Sequence, residues 1–586
     1  YLYSTKNMPN GVDYLKKTFI FALKNNFYVK ICIFPFCDSF FGACKDKGKN
    51  ILDEMAEREI NESYEPLFLQ DTAVASLKKV LIKDHYYKVA IEREVANFYK
   101  KYNYQTRWLY QNKPSPLFAS YINTLTELTD YGFFPQNYRQ HELDSLVGHL
   151  YQQKDSLFLK RLETTDREIT ASFLLLTRHL IQGRIPKVGD EVRVWKRNKP
   201  IFDNVELLLK LQDTDNLSSI IDALQPQQPF YKAMAQKYKE LLKDTTTYTP
   251  FAITDLKSFA IGYRDSTIIA LRTQLKRKGY NPVVQGAPAE VDSLLIEAVK
   301  QFQRQVGLMA DGQPGAQTMN YLQMTPQQQR DLLLLNMERL RWQNKDLGED
   351  YVLVNIPEYR LRLFHKDSLK FTTNVVVGKP DTPTPIFSDS IKFVEFRPTW
   401  SVPISIVRKE MIPRIVDSGD SLKYAKRGYK LYENNKEIDP ATINWRDEKI
   451  LKRNLAFVEN PSANNSLGLV KFILYNDMSI YLHDTPSKKL FDNTQRTYSH
   501  GCVRVQHPDS LAYQLLKHTA EWNYQKVNDA MHTGRDQYRV HPKQHFVVDI
   551  SYLTAWVDEA GQLVIRNDPY QFDKEQLKLL ERYKKM

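Results

Sequence analysis

The hydrophobic period of this chain changes once, between residues 342 and 351. Upstream, apolar residues recur at helical spacing: Leu295, Val299, Phe302 and Val306 form one continuous stripe. Downstream, Tyr351-Val352-Leu353-Val354-Asn355-Ile356 and Leu361-Arg362-Leu363-Phe364 flank Pro357-Glu358-Tyr359, a hairpin signal. Segments 373–377, 391–396, 470–474 and 479–482 continue the strand pattern, with Gly378-Lys379-Pro380 and Asn476-Asp477 as turns. A helical half followed by a strand-rich half predicts an α+β multidomain chain. Its 586 residues suggest roughly four domains by the usual length prior.

Chemistry concentrates in Ser499-His500-Gly501-Cys502-Val503-Arg504-Val505. The chain has four cysteines, and Cys32, Cys37 and Cys44 share an apolar stretch near the N-terminus, so Cys502 is the only thiol of the body. Val503 and Val505 alternate with Cys502 and Arg504. That is the period of a half-buried strand, valines inward, thiol and guanidinium on the other face. Nearby positive charge would stabilise a thiolate. Gly501 lets a substrate carbonyl come close to the backbone, which makes the amides of Gly501 and Cys502 candidate oxyanion donors. Two histidines are candidate bases: His500 on the same stretch, and His483 from a neighbouring strand. The alternative is a buried cysteine acting as a small hydrophobe.

Upstream runs Tyr481-Leu482-His483-Asp484-Thr485-Pro486-Ser487, then Leu490-Phe491, Arg496 and Ser499. This ordered pattern resembles the catalytic signature of the L,D-transpeptidases with YkuD-type catalytic domains. The resemblance implies that Cys502 is the nucleophile and His483 the proton donor and acceptor, with His500 second choice. It puts Ser499, His500, Gly501, Arg504 and Thr485 in the catalytic, substrate-binding and oxyanion region. The implied catalytic domain is β-rich and spans 351–535. Its polar, partly helical insertion at 404–466 is a candidate lid, and the larger, YcbB-like members carry a capping subdomain there. Trp400, at the start of that insertion, either borders the cleft or packs in the core.

Residues 71–250 have mixed helical spacing and resemble the helical scaffold domain of the YcbB-like group. Within them Asp166 precedes an apolar helix that ends near Gly183. Residues 262–324 are sharper. Asp265-Ser266 and Asp292 are helix caps, Gly279 and Gly307 are stops, and the segment from Ala298 to Leu322 resembles a three-helix peptidoglycan-binding module. Residues 325–350 read as a connecting helix, and 536–586 as C-terminal strands and tail.

Residues 1–43 read as a signal or targeting segment, and 44–70 as a charged tether. Gly42-Ala43-Cys44 resembles a lipoprotein cleavage site with Cys44 as the lipidated residue, so the expected setting is the bacterial cell envelope or periplasm, membrane-anchored by lipid or signal segment. The net charge of +13 is scattered among 69 acidic residues, without the basic stripe that nucleic-acid binding requires. No metal site or cofactor is expected: His541 and His545 stand four apart, but Pro542 breaks any helical ligand pair. The expected partners are peptidoglycan stem peptides and glycan strands; the sequence names no protein partner. Three functions stay open: a transpeptidase making 3-3 cross-links through a cysteine thioester, a carboxypeptidase or hydrolase using the same thiol, and a non-catalytic wall-binding lipoprotein.

Overall fold

The computed structural model describes residues 66–585, apart from 71, 79, 83, 186–193, 197–201, 214, 248, 254, 281, 282, 285, 344 and 345. The signal segment, Cys44 and the tether as far as residue 65 lie outside the described residues. The last tether residues are not tether: β1 (Pro66–Phe68) pairs antiparallel with β2 (Gln105–Tyr110). Around this ribbon pack the helices Lys88–Lys101, Pro116–Glu127, Gln140–Gln152, Phe158–Gln182 and Pro229–Lys243. Asp166 does not precede the long helix but sits inside it, fully buried. Its carboxylate accepts the amides of Arg107 (3.0 Å), Trp108 (2.7 Å) and Leu109 (2.9 Å) and the Tyr99 hydroxyl (2.6 Å). It therefore satisfies buried strand amides rather than its own helix terminus, because an unpaired buried amide is costly.

The next helices are Thr267–Arg277, Ser293–Val306 and Ala316–Leu322. Asp292 caps the second, its side chain accepting from Leu295 N at 2.7 Å, and Gly307 ends it at φ +76°. Leu295, Val299, Phe302 and Val306 are all buried in this module's core. The connecting helix Pro326–Arg341 starts with a Thr325–Gln328 capping box. Glu338 on this helix is fully buried, with Arg184 at 3.3 Å and Arg341 at 3.0 Å. Burial alone would raise its carboxyl, but the two guanidiniums and the amides of Ile185 and Arg184 hold it at about 2. This triad ties the end of the long helix to the connecting helix.

The strand-rich half runs β3 (Asp350–Asn355), β4 (Arg360–His365), β5 (Ser368–Gly378), β6 (Phe387–Phe396), β7 (Trp400–Ser401), β8 (Tyr429–Glu433), β9 (Lys436–Ile438), β10 (Leu455–Glu459), β11 (Val470–Leu474), β12 (Tyr481–His483), β13 (Thr497–Ser499), β14 (Val503–Val505), β15 (Tyr538–Val540) and β16 (Val547–Ser551). The main sheet follows β11-β12-β14-β5-β4-β3-β16-β6, and β6 also pairs with β11, closing the sheet on itself. Leu482, Val503 and Val505 are fully buried within it.

The insertion is not merely polar and partly helical. Strands β7, β10, β8 and β9 form a separate antiparallel sheet, and Tyr429, Leu431, Leu455 and Phe457 pack with Val407, Ile412 and Trp445 into a core of their own. The tail also holds more than strands, ending in a helix, Asp573–Lys585, whose Leu580 and Tyr583 are buried. Among the described residues no helix is long and apolar enough to cross a membrane.

Candidate active site

Strands β12 and β14 are parallel neighbours, with Leu482 beside Val503 and His483 beside Arg504. Since Leu482 and Val503 face the core, Tyr481, His483, Cys502 and Arg504 share the opposite face. The Cys502 sulfur lies 3.7 Å from the Ser479 carbonyl, to which the thiol donates. The Tyr481 amide and hydroxyl stand near enough to the sulfur to favour its thiolate, and the Trp400 indole near enough to the Tyr481 hydroxyl to favour its ionised form. Part of the cysteine is open to solvent. Even so, the protein packed around the sulfur pushes the thiol up to about 11, against the pull of Tyr481 and Arg504. The positive charge expected to favour a thiolate is present, but enclosure outweighs it.

His483 is buried, and its Nδ1 meets the Asp484 carbonyl at 2.5 Å. A carbonyl only accepts, so in the neutral ring Nδ1 carries the hydrogen and Nε2 the lone pair. Burial, and next the Arg504 guanidinium, push the imidazolium down to about 3. Thiol and imidazole are thus both neutral at rest. Arg504 itself is half-buried, and its Nε has no hydrogen-bond partner among the described residues.

His500 turns elsewhere. Its Nε2 pairs with Glu410 of the insertion, and Glu410 also holds Arg414 at 2.8 Å. Ser499 is buried and fully engaged: its Oγ accepts from Gly501 N at 3.1 Å and donates to the Cys502 carbonyl at 2.6 Å. The Gly501 amide, expected as an oxyanion donor, is therefore used inside the loop. The Cys502 amide has no protein acceptor among the described residues. Gly501 itself sits at φ +122°, where a side chain would be strained. Thr485 is buried with its Oγ1 accepting from Ser487 N at 3.2 Å, so it shapes the turn after His483. Trp400 is half-buried, and its ring packs edge-on to Tyr429 of the insertion.

Sequence reasoning passed over Tyr481 and Glu410. Tyr481 had a signal, standing two residues before His483 and so on the same strand face. Glu410 had none, since a contact across 90 residues leaves no local pattern.

Three segments of the chain match known protein families. Residues 349–540 match the YkuD family, described as "L,D-transpeptidase catalytic domain", 93–237 match a "Scaffold domain", and 264–322 match a "Putative peptidoglycan binding domain". The chain thus combines a YkuD-type L,D-transpeptidase catalytic domain with a helical scaffold and a peptidoglycan-binding module. A Haemophilus influenzae protein described as "Putative L,D-transpeptidase" is 31% identical over 249 residues, 42% of this chain and 48% of that protein. The chain therefore spans about half the length of this curated relative. Among solved structures, an L,D-transpeptidase from Stackebrandtia nassauensis is 14% identical with a TM-score of 0.20, covering 52% of this chain and 97% of that one. Another, from Mycobacterium smegmatis, is 11% identical with a TM-score of 0.16, covering 34% of this chain and 58% of that one.

Proposed function

We propose that this protein is a peptidoglycan L,D-transpeptidase that forms 3-3 cross-links through a thioester on Cys502. One observation supports the reading: β12 and β14 are parallel neighbours, so His483 and Cys502 lie on one sheet face at diagonal positions of adjacent chain segments, while His500 is held by Glu410. In the reaction the Cys502 proton passes to His483 Nε2 as sulfur attacks the carbonyl of the third residue of a donor stem peptide. The Cys502 amide and the Tyr481 hydroxyl are the donors available to the developing oxyanion. The terminal D-Ala amine takes the proton from His483 and leaves. An acceptor side-chain amine then attacks the thioester, and the thiol is restored. Arg504, whose buried Nε has no hydrogen-bond partner among the described residues, suits a carboxylate of the stem. Thr485 and Ser499 serve by shaping the two loops that carry His483 and Cys502.

The peptidoglycan-binding module fits retention on glycan strands, and this substrate implies the cell envelope or periplasm. Lipidation at Cys44, with membrane anchoring, remains part of the proposal on sequence grounds alone. The test is muropeptide analysis with purified protein. Cross-linked dimers are expected, and none with Cys502→Ala. Bare tripeptides in place of dimers would favour the hydrolase. Dimers formed by Cys502→Ala would overturn the nucleophile.

A further inference from the structure

The direction of the Cys502 amide is set by residues far from it in sequence. Thr384, fully buried in the segment after β5, donates its hydroxyl to the Gly501 carbonyl at 2.8 Å and accepts from Gly378 N at 2.8 Å. The Thr384 amide donates in turn to the Tyr570 hydroxyl at 3.1 Å, and that hydroxyl donates to the Gly378 carbonyl at 2.9 Å. Every donor and acceptor in this ring is used once. Tyr570 lies beyond residues 349–540, in the C-terminal segment, and is held by stacking on Tyr552 at 5.4 Å and by its own amide donating to the Tyr552 hydroxyl at 2.8 Å. No residue but glycine fits at Gly378, where a Cβ would stand 2.3 Å from the Thr382 carbonyl.

We infer that Thr384 and Tyr570 are positioning residues that aim the Cys502 amide at the reacting carbonyl. The peptide joining Gly501 to Cys502 is a rigid plane with its C=O and N–H pointing opposite ways. Fixing Gly501 O on Thr384 therefore fixes the Cys502 N–H in the opposite direction, away from Thr384. Ser499 pins the next plane by holding the Cys502 carbonyl. With Gly501 at positive φ, neither plane is held by a regular strand ladder, so side-chain bonds must supply the rigidity. The C-terminal segment thereby becomes part of the acyl-transfer machinery rather than a terminal appendage. This inference rests on the proposed reaction only for its kinetic consequence.

The test uses the full chain with Thr384→Val, which removes the hydroxyl at nearly constant volume, Thr384→Ser, which keeps it, and Tyr570→Phe. Gly501-Cys502 is the one Gly-Cys pair in the sequence, so carbonyl-labelled glycine with nitrogen-labelled cysteine gives a single correlated amide signal. Thr384→Val should shift that signal, and Thr384→Ser should leave it near the wild-type position. Acylation of Cys502 by a carbapenem, followed by intact mass, should slow by about tenfold to a hundredfold in Thr384→Val, the scale of a displaced catalytic group. Tyr570→Phe should slow it less, and Thr384→Ser should recover to within about threefold, with the dissociation constant of the initial complex unchanged throughout. An unmoved signal in Thr384→Val, or a Ser variant as slow as the Val variant, overturns the inference. If wild type itself is not acylated, the proposed reaction fails, and the amide signal still decides the positioning.

Discussion

His483 lies beside Arg504 in the parallel register of β12 and β14, which sets an imidazole against a permanent cation on one sheet face. Burial disfavours a charged ring there, and the neighbouring cation disfavours it further, so the imidazole is neutral down to about pH 3. The neighbouring thiol is held neutral up to about 11. Such a pair differs from a preformed thiolate–imidazolium couple, because the proton must move as the sulfur attacks.

The pH dependence of thiol reactivity follows. Only the thiolate alkylates, so the rate of Cys502 alkylation by iodoacetamide should climb through the alkaline range toward pH 11. Peptide mass mapping separates Cys502 from the other cysteines. A plateau already reached at pH 7 would mean a resting ion pair and would contradict this reading.

The two histidines should separate clearly. His483→Ala should slow carbapenem acylation by about 10²- to 10⁴-fold, the usual loss for a general base. His500→Ala loses only a contact to Glu410, so it should stay within about tenfold of wild type. The reverse order would reassign the base.

Glu410 is expected to act on lid closure rather than on bond making. A partly exposed ion pair is worth about 1 kcal/mol or less, so Glu410→Gln should weaken initial carbapenem binding by no more than about fivefold. The saturating acylation rate should be almost unaltered. Stopped-flow fluorescence separates the two quantities, and a hundredfold drop at saturation would put Glu410 in the chemistry.

The Glu338 triad should matter to stability in a pH-dependent way. Glu338→Gln leaves Arg184 and Arg341 buried without their carboxylate, a loss of about 3–5 kcal/mol. Because the folded carboxyl titrates at about 2, below its ordinary value of 4.5, the stabilisation is present above that ordinary value and fades as pH falls toward 2. Melting temperatures of wild type and variant should differ at pH 7 and draw together as pH falls from about 4.5 toward 2. Equal melting temperatures at pH 7 would show that the triad carries no net stability.

The sheet strands, the helix stripe at 295–306 and the shared sheet face of Cys502 and Arg504 were legible because each rests on a local period or a contiguous motif. What escaped reading rests on long-range contact. Asp166 reads from sequence as standing before an apolar helix; it lies inside the helix and serves amides 57 to 59 residues away. The insertion read as polar because its apolar strand residues alternate with exposed Lys430 and Ala456, and each strand is too short to stand out. Gly501 reads from sequence as a place of close substrate approach; the structure adds a backbone reason, its φ of +122°. The partner of its amide could not be foreseen, since whether Ser499 turns inward depends on the loop's curvature.

The two ends of the insertion are zipped together, Trp400 opposite Glu459 and Ser401 opposite Val458. A segment that leaves and re-enters at one point closes its own loop, whatever its interior does. It behaves as a cassette: its core can melt, be exchanged for another or be shortened without changing the path of the catalytic sheet. Variation in what the cleft admits can then accumulate in the cassette while the thiol and its histidine stay where β12 and β14 hold them.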